Sequence, residues 1–221
     1  MKKILFSILF ILPIISYSID FKIGILRNVK LKKVTISVND VNFSLKSPDN
    51  IIERKVTSKN QLLVEFNNGK IALSIDKKFI GKFDTLKLSC TRKDTGIFNI
   101  KSNIPNLSSR SYYDDLIIFP QSNSVSLVNL IGFEKYIIGV LESEVGLGQS
   151  EDFYKVHAII SRTYALQNQY KFIHEGFYLT DLVNCQVYKG NMYKDPTIIN
   201  AIRATESLIL VDENMDYITA S

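Results

Sequence analysis

One carboxylate in this chain is spaced as a general acid would need to be. Phe133, Tyr136, Ile137, Val140 and Leu141 recur at the three-and-four spacing of a single helix face. Glu144 continues that stripe, because eleven residues at about 100° each return it to within roughly 20° of Phe133. Glu142 falls on the opposite side and is expected to be an ordinary surface anion. A carboxyl group on an apolar face near a helix end is partly desolvated, which raises its pKa and lets it donate a proton near neutral pH. The plainer reading is a helix C-terminal residue satisfied by a local hydrogen bond or an arginine.

Other residues could assist it. Arg162, in Ser161-Arg162-Thr163-Tyr164, could hold the glutamate or a sugar substituent, or staple two helices, since a buried arginine must be paired in any case. Tyr164 fits the core, its hydroxyl finding one partner. Asp181, Gln186 and Tyr188 lie in a loop-like stretch whose polar and aromatic mixture suits carbohydrate; a turn with a capping aspartate and one exposed tyrosine fits as well. His157 and His174 are the only histidines. The first reads as a core residue and the second as a helix-end cation. Neither has a serine or cysteine partner in a recognisable nucleophile motif. Gly146-Leu147-Gly148-Gln149-Ser150 lacks the lysine and preceding strand of a phosphate loop, and reads as a helix–helix connection.

The elements that must position these groups follow from periodicity. Residues 20 to about 130 read as strand after strand. Val34 to Val38 and Val41 to Leu45 alternate with polar neighbours. Leu62 to Phe66 and Ile71 to Ile75 flank the hairpin signal Asn67-Asn68-Gly69-Lys70. Leu86 to Cys90, Ile97 to Ile100, Leu116 to Phe119 and Val125 to Leu130 complete the series, with a turn at residues 120–124. Beyond Asn129 the period becomes helical. A first helix is expected over about 132–144, stopped by Gly146 and Gly148. A second, capped by Ser150, should run to about Phe172 and be largely buried, and a third should open at Asp195-Pro196. Ser207 to Val211 reads as a strand, Asp212 to Asp216 as a turn, and Tyr217 to Ala220 as the start of a return strand cut short at Ser221.

The fold class is therefore α+β. A β-rich N-terminal portion, residues 19–107, precedes a mixed helix/strand domain, residues 108–221, with two or three helices packed on strands. Residues 1–18 have the short basic start, apolar centre and small terminal residues of a secretory signal, with cleavage expected after Ser18. The apolar run is too short for a comfortable membrane span, and no span is expected once the signal is removed. Export would permit Cys90 and Cys185 to pair, and two free thiols are equally compatible with the sequence. Loss of Lys2 and Lys3 would leave 25 basic and 22 acidic side chains, a mild positive charge that suits an anionic polymer. No dense basic block with interleaved aromatics points to nucleic acid.

Four motifs, in order, resemble the stage II sporulation protein D and amidase-enhancer (LytB-type) family. Asn129-Leu130, Glu134 to Val140 and Ser143-Glu144-Val145 resemble its "L-E-D-Y-L-x-G-V-V-P-S-E-M" run. Lys155 to Leu166 is similar to "K-A-Q-A-V-A-A-R-T-Y-A-L", Asp181 to Gly190 to "D-T-T-H-C-Q-V-Y-x-G", and Ala201 to Leu210 to "A-V-x-A-T-x-G-x-V-L". The resemblance implies a lytic transglycosylase that cuts peptide-stripped peptidoglycan glycan strands, with Glu144 as its acid/base. It also implies Arg162, Tyr164, Asp181, Gln186 and Tyr188 around the substrate. The alternative it carries is a wall-binding activator of a cell-wall amidase that does not itself cut glycan. Either way the partner is peptidoglycan and the location is exported, in the periplasm or cell wall. The family includes organisms that never form spores. Some members bind zinc through a Cys–His–Cys set, whose places here hold Thr180, Asn184 and Cys185, so no metal and no cofactor are expected. His157 stands where the family usually has glutamine.

Overall fold

The structure, a computed structural model, describes residues 20–39, 41–92, 95–190 and 195–218. The apolar run read as a secretory signal and the last residues of the expected return strand lie outside the described residues. Among the described residues, twelve strands precede the first helix. The first six are β1 (Asp20–Ile25), β2 (Lys33–Val38), β3 (Phe43–Lys46), β4 (Ile51–Val56), β5 (Leu62–Asn67) and β6 (Lys70–Ile75). The next six are β7 (Lys78–Phe83), β8 (Leu86–Cys90), β9 (Ile97–Ile104), β10 (Arg110–Tyr113), β11 (Asp115–Gln121) and β12 (Ser124–Gly132). Helices α1 (Phe133–Glu144) and α2 (Glu151–Gln167), the short strand β13 (Leu179–Thr180) and helix α3 (Pro196–Ala204) follow. The fold is α+β with a β-rich N-terminal part.

The turns explain why so many strands form. Asn67 pairs with Lys70, Ile75 with Lys78 and Gln121 with Ser124, each across a two-residue turn. Asn68-Gly69, Asp76-Lys77 and Ser122-Asn123 all take positive φ there, the conformation that matches the twist of a tight hairpin. The strands form two sheets. One runs β13-β1-β12-β11-β8-β3-β4 and the other β10-β9-β2-β5-β6-β7. Each draws strands from both sides of residue 107, and a single apolar core joins them to the helices. Both sheets therefore cross the boundary expected at residue 107.

β12 carries the helical part. Residues 125–131 of it are all buried, because the second sheet covers one face and the helices the other. Each buried Leu, Ile or Val there contributes about 1.5–3 kcal/mol relative to an exposed one. Phe21 on β1 meets the rings of Phe133, Tyr136 and Tyr178, which seats α1 on the β1/β12 surface. Asp114, at the turn into β11, accepts Gly132 N–H (3.0 Å) and Lys135 Nζ (2.7 Å), fixing where α1 begins.

The helices depart from expectation in three places. α2 stops at Gln167 rather than near Phe172, because Asn168 turns its amide back onto the Tyr164 carbonyl (2.9 Å) and competes with the next helical turn. Phe172 then stacks on Phe177, 5.6 Å between ring centres. Val156, expected to be buried, is 56% exposed, so one side of α2 faces water. Ser207 to Val211 does not form a strand: Ser207 takes φ +63°, and the segment makes a single bridge, Val211 to Tyr217, around the expected turn at Asp212. No helix among the described residues is long and apolar enough to cross a membrane.

Candidate functional site

α1 presents an acidic residue near each end, and the two meet different surroundings. Glu134, in the first turn, is met by Arg162 of α2. Arg162 Nε lies 3.0 Å from both carboxylate oxygens and its Nη2 lies 2.8 Å from Oε2. The same guanidinium donates to Thr205 Oγ1 (3.2 Å) and to the Ile202 carbonyl (3.0 Å), so one side chain, 1% exposed, ties α1, α2 and α3 together. The geometry is that of a staple.

Glu144 is left for other contacts. The apolar stripe is buried from Tyr136 to Leu141, then emerges in the last turn, so solvent reaches Glu144. Its Oε1 accepts the Val187 N–H at 2.8 Å, and no other hydrogen bond to this carboxyl is found among the described residues. Glu144 is exposed as a residue, and partial desolvation of its carboxyl raises its pKa. The Val187 N–H and the charge of His157 pull in the other direction, and burial is the largest of the three effects. Glu142, expected as a surface anion, is instead half-buried with one carboxylate oxygen shielded from solvent. The side of α1 away from the sheet is itself covered, and Glu142 lies close enough to Tyr113 for its charge to help raise that phenol's pKa.

The segment from Asp181 to Gly190 is what covers it. Ser143 Oγ accepts the Lys189 N–H (3.1 Å) beside the Glu144–Val187 bond, so two consecutive side chains at the end of α1 latch two alternate backbone amides. Tyr188, between them, turns inward. Its ring packs so closely on Gly139 that a β-carbon there would come within 2.6 Å of it. Its hydroxyl donates to Asn129 Oδ1 (2.8 Å), and Asn129 Nδ2 in turn donates to the Tyr113 and Asp115 carbonyls. Gln186 accepts from Tyr136 Oη (3.2 Å) and donates to the Ser161 carbonyl (3.3 Å), bridging α1 and α2. Asp181 accepts the Leu26 N–H (2.8 Å) and the Arg27 N–H (3.4 Å), and pairs with Arg110 at 3.3 Å. Burial, its largest influence, raises the Asp181 pKa despite these bonds.

Of the residues expected around substrate, the structure therefore places Arg162, Asp181, Gln186 and Tyr188 in the interior, each with its polar atoms engaged. The fully buried Tyr188 departs from the reading of an exposed tyrosine. Tyr164 is half-buried near Glu144, with its hydroxyl 3.5 Å from the Asn184 carbonyl; burial first, then Cys185 and Glu144, raises its pKa. His157, expected in the core, is half-buried against the Phe153 ring (4.3 Å) and close enough to act on Glu144. Spacing could have flagged it: the turn at residues 146–150 folds α2 back toward the end of α1. That turn is held by Tyr154, whose hydroxyl donates to the Gly146 carbonyl and accepts the Gln149 N–H.

Cys90 and Cys185 are both free thiols. At the three positions that the resemblance aligns with a zinc set, the Thr180 hydroxyl bonds Asn184 Oδ1 (3.2 Å) and Cys185 is a buried thiol, a donor set that does not fit zinc. Val187, whose N–H holds Glu144, also lines a surface groove of about 440 Å³ together with Asn28, Arg110 and Lys189.

Comparison with known proteins fits this layout. Residues 121–211 match the SpoIID family model, described as Stage II sporulation protein. That segment belongs to the SpoIID family. It runs from the end of β11 through α3 and includes both ends of α1, the latched segment and Arg162. An uncharacterized protein of Brachyspira hyodysenteriae is 27% identical over 106 residues, 48% of this chain and 29% of that protein's length. The chain thus corresponds to under a third of that relative. No solved structure matches the chain.

Proposed function

We propose that this is an exported cell-wall remodelling protein, a lytic transglycosylase that cuts peptide-stripped peptidoglycan strands with Glu144 as acid and then base. The observation that carries this reading is the solvent-accessible Glu144 carboxyl, raised in pKa by partial desolvation, bonded through one oxygen only among the described residues, and linked to a groove by Val187. The SpoIID match supports the wall-remodelling class.

The chemistry needs only one carboxyl. Ordinary glycosidases use two, one as acid and one as nucleophile or base. In a lytic transglycosylase the substrate's own C6 hydroxyl attacks the anomeric carbon and closes a 1,6-anhydro ring. Protonated Glu144 gives its proton to the leaving glycosidic oxygen, and the resulting carboxylate takes the C6 hydroxyl proton. The enzyme ends as it began. The Val187 N–H serves the first step, because a hydrogen bond to the anionic form stabilises the carboxylate left when the proton departs. A positioned acid/base of this kind is worth about 10²–10⁴ in rate. Arg162 and Gln186 act as positioning residues, since they hold α1 and α2 in register without facing solvent.

The second reading, an activator of a separate amidase, is favoured by one observation: four of the five residues expected at substrate are interior. Muropeptide mass spectrometry on amidase-stripped strands separates the two. Anhydro-sugar ends that disappear in Glu144→Gln support the transglycosylase. Amidase stimulation that survives the substitution, with no anhydro ends from the wild type, supports the activator.

A further inference from the structure

The groove near Glu144 joins residues of the matched SpoIID segment to two from outside it. Arg110 lies on β10 and Asn28 follows β1, while Val187 and Lys189 come from the latched segment. Its cations are Arg110 and Lys189, and its one acid is Asp181. The Asp181 side chain is 1% exposed, and its carboxyl faces Arg110 and two backbone amides. The charge open to solvent is therefore positive. Arg110 is only partly committed: Nη1 meets Asp181, and 36% of the side chain remains exposed. The Tyr112 hydroxyl is buried beside this ion pair, close to Arg110.

Glu144 does not itself line the groove, and Val187 links the two. Val187 presents its N–H to Glu144 and its surface to the groove, and Lys189 is held two residues along by Ser143. A glycan seated at Glu144 would thus run past two cations. Stem-peptide removal hydrolyses the amide at the lactyl ether of each muramic acid, releasing the peptide with its own carboxylates and leaving a free carboxylate on the strand. A carboxylate held directly at the lactyl ether is present only on stripped strands. Arginine meets a carboxylate through paired N–H groups and lysine as a point charge, so both reward this group and neither rewards the amide equally.

We propose that Arg110 and Lys189 form a specificity subsite for the free lactyl carboxylate of peptide-stripped glycan. The inference rests on the transglycosylase reading for the identity of the polymer, and binding tests it apart from cutting. The purified protein is titrated at low salt with amidase-stripped strands and with the same strands methyl-esterified at the lactyl carboxyl. The subsite predicts binding about tenfold tighter to the free acid, a difference that shrinks as salt rises. Lys189→Gln and Arg110→Gln should each erase most of that preference. Lys189 is exposed, so its variant decides the matter if Arg110→Gln melts at a lowered temperature. Equal affinity for the two polymers, or full preference in folded Lys189→Gln, overturns the subsite. Preference without anhydro products leaves the subsite standing and removes the catalytic reading. Anhydro products formed equally from both polymers do the reverse.

Discussion

Glu134 and Glu144 stand ten residues apart on the same helix, and their neighbours give them opposite roles. Glu134 is met by a buried guanidinium that also holds α3. Glu144 is met by one backbone N–H and by protein that partly excludes water. The first arrangement fixes a charge; the second leaves a proton that can move. A carboxylate's use is set by what it pairs with, and here the pairing of the first end frees the second. Had Arg162 reached Glu144 instead, its pKa would be pulled down.

The contrast can be broken most forcefully at the paired end. Arg162→Met removes the cation from Glu134 and the donors from Thr205 and Ile202. It should cost about 3 kcal/mol or more in denaturant unfolding; a loss below about 1 kcal/mol would deny the staple. Gly139→Ala, midway along α1, drives a β-carbon into the fixed Tyr188 ring and should cost about 1–3 kcal/mol. At the open end the effects are smaller. Ser143→Ala removes the acceptor for Lys189 N–H, costs about 0.5–1 kcal/mol, and should speed hydrogen exchange at that amide. Glu144→Gln keeps an acceptor for Val187 N–H but removes the desolvated charge. The folded carboxyl has the higher pKa, so the native state binds its proton more tightly and stability falls as pH rises from the unfolded toward the folded pKa. The variant should therefore melt slightly higher than the wild type at neutral pH, and the difference should vanish below the ordinary glutamate pKa.

What the sequence made legible follows from what is local. The Asn67-Asn68-Gly69-Lys70 hairpin, the start of α3 at Asp195-Pro196 and the extent of α1 each depend on residues within a turn or two, and each is found as expected. The pairings of β1 with β12 and β13, and of β10 with β9, join segments by tertiary contact and leave no periodic trace. The interior placement of Gln186 and Tyr188 has the same origin. Asn129 and the Ser161 carbonyl supply their partners, and neither lies near them in sequence. Glu144 was found by helical arithmetic, yet its surroundings were not: the stripe emerges from the core one turn early, and its hydrogen-bond partner comes from the 181–190 segment. The partner of Arg162 could have been inferred, since a buried arginine requires a carboxylate and Glu134 lies within the same motif as Glu144.

The most direct measurement is a titration of the Glu144 side-chain carboxyl carbon by nuclear magnetic resonance, assigned through the Glu144→Gln variant. The account predicts a midpoint above the ordinary glutamate value of 4.5, moving higher when glycan excludes more water. A midpoint at or below that value, unmoved by stripped strands, would show an anion that merely latches the Val187 amide and has no proton to give.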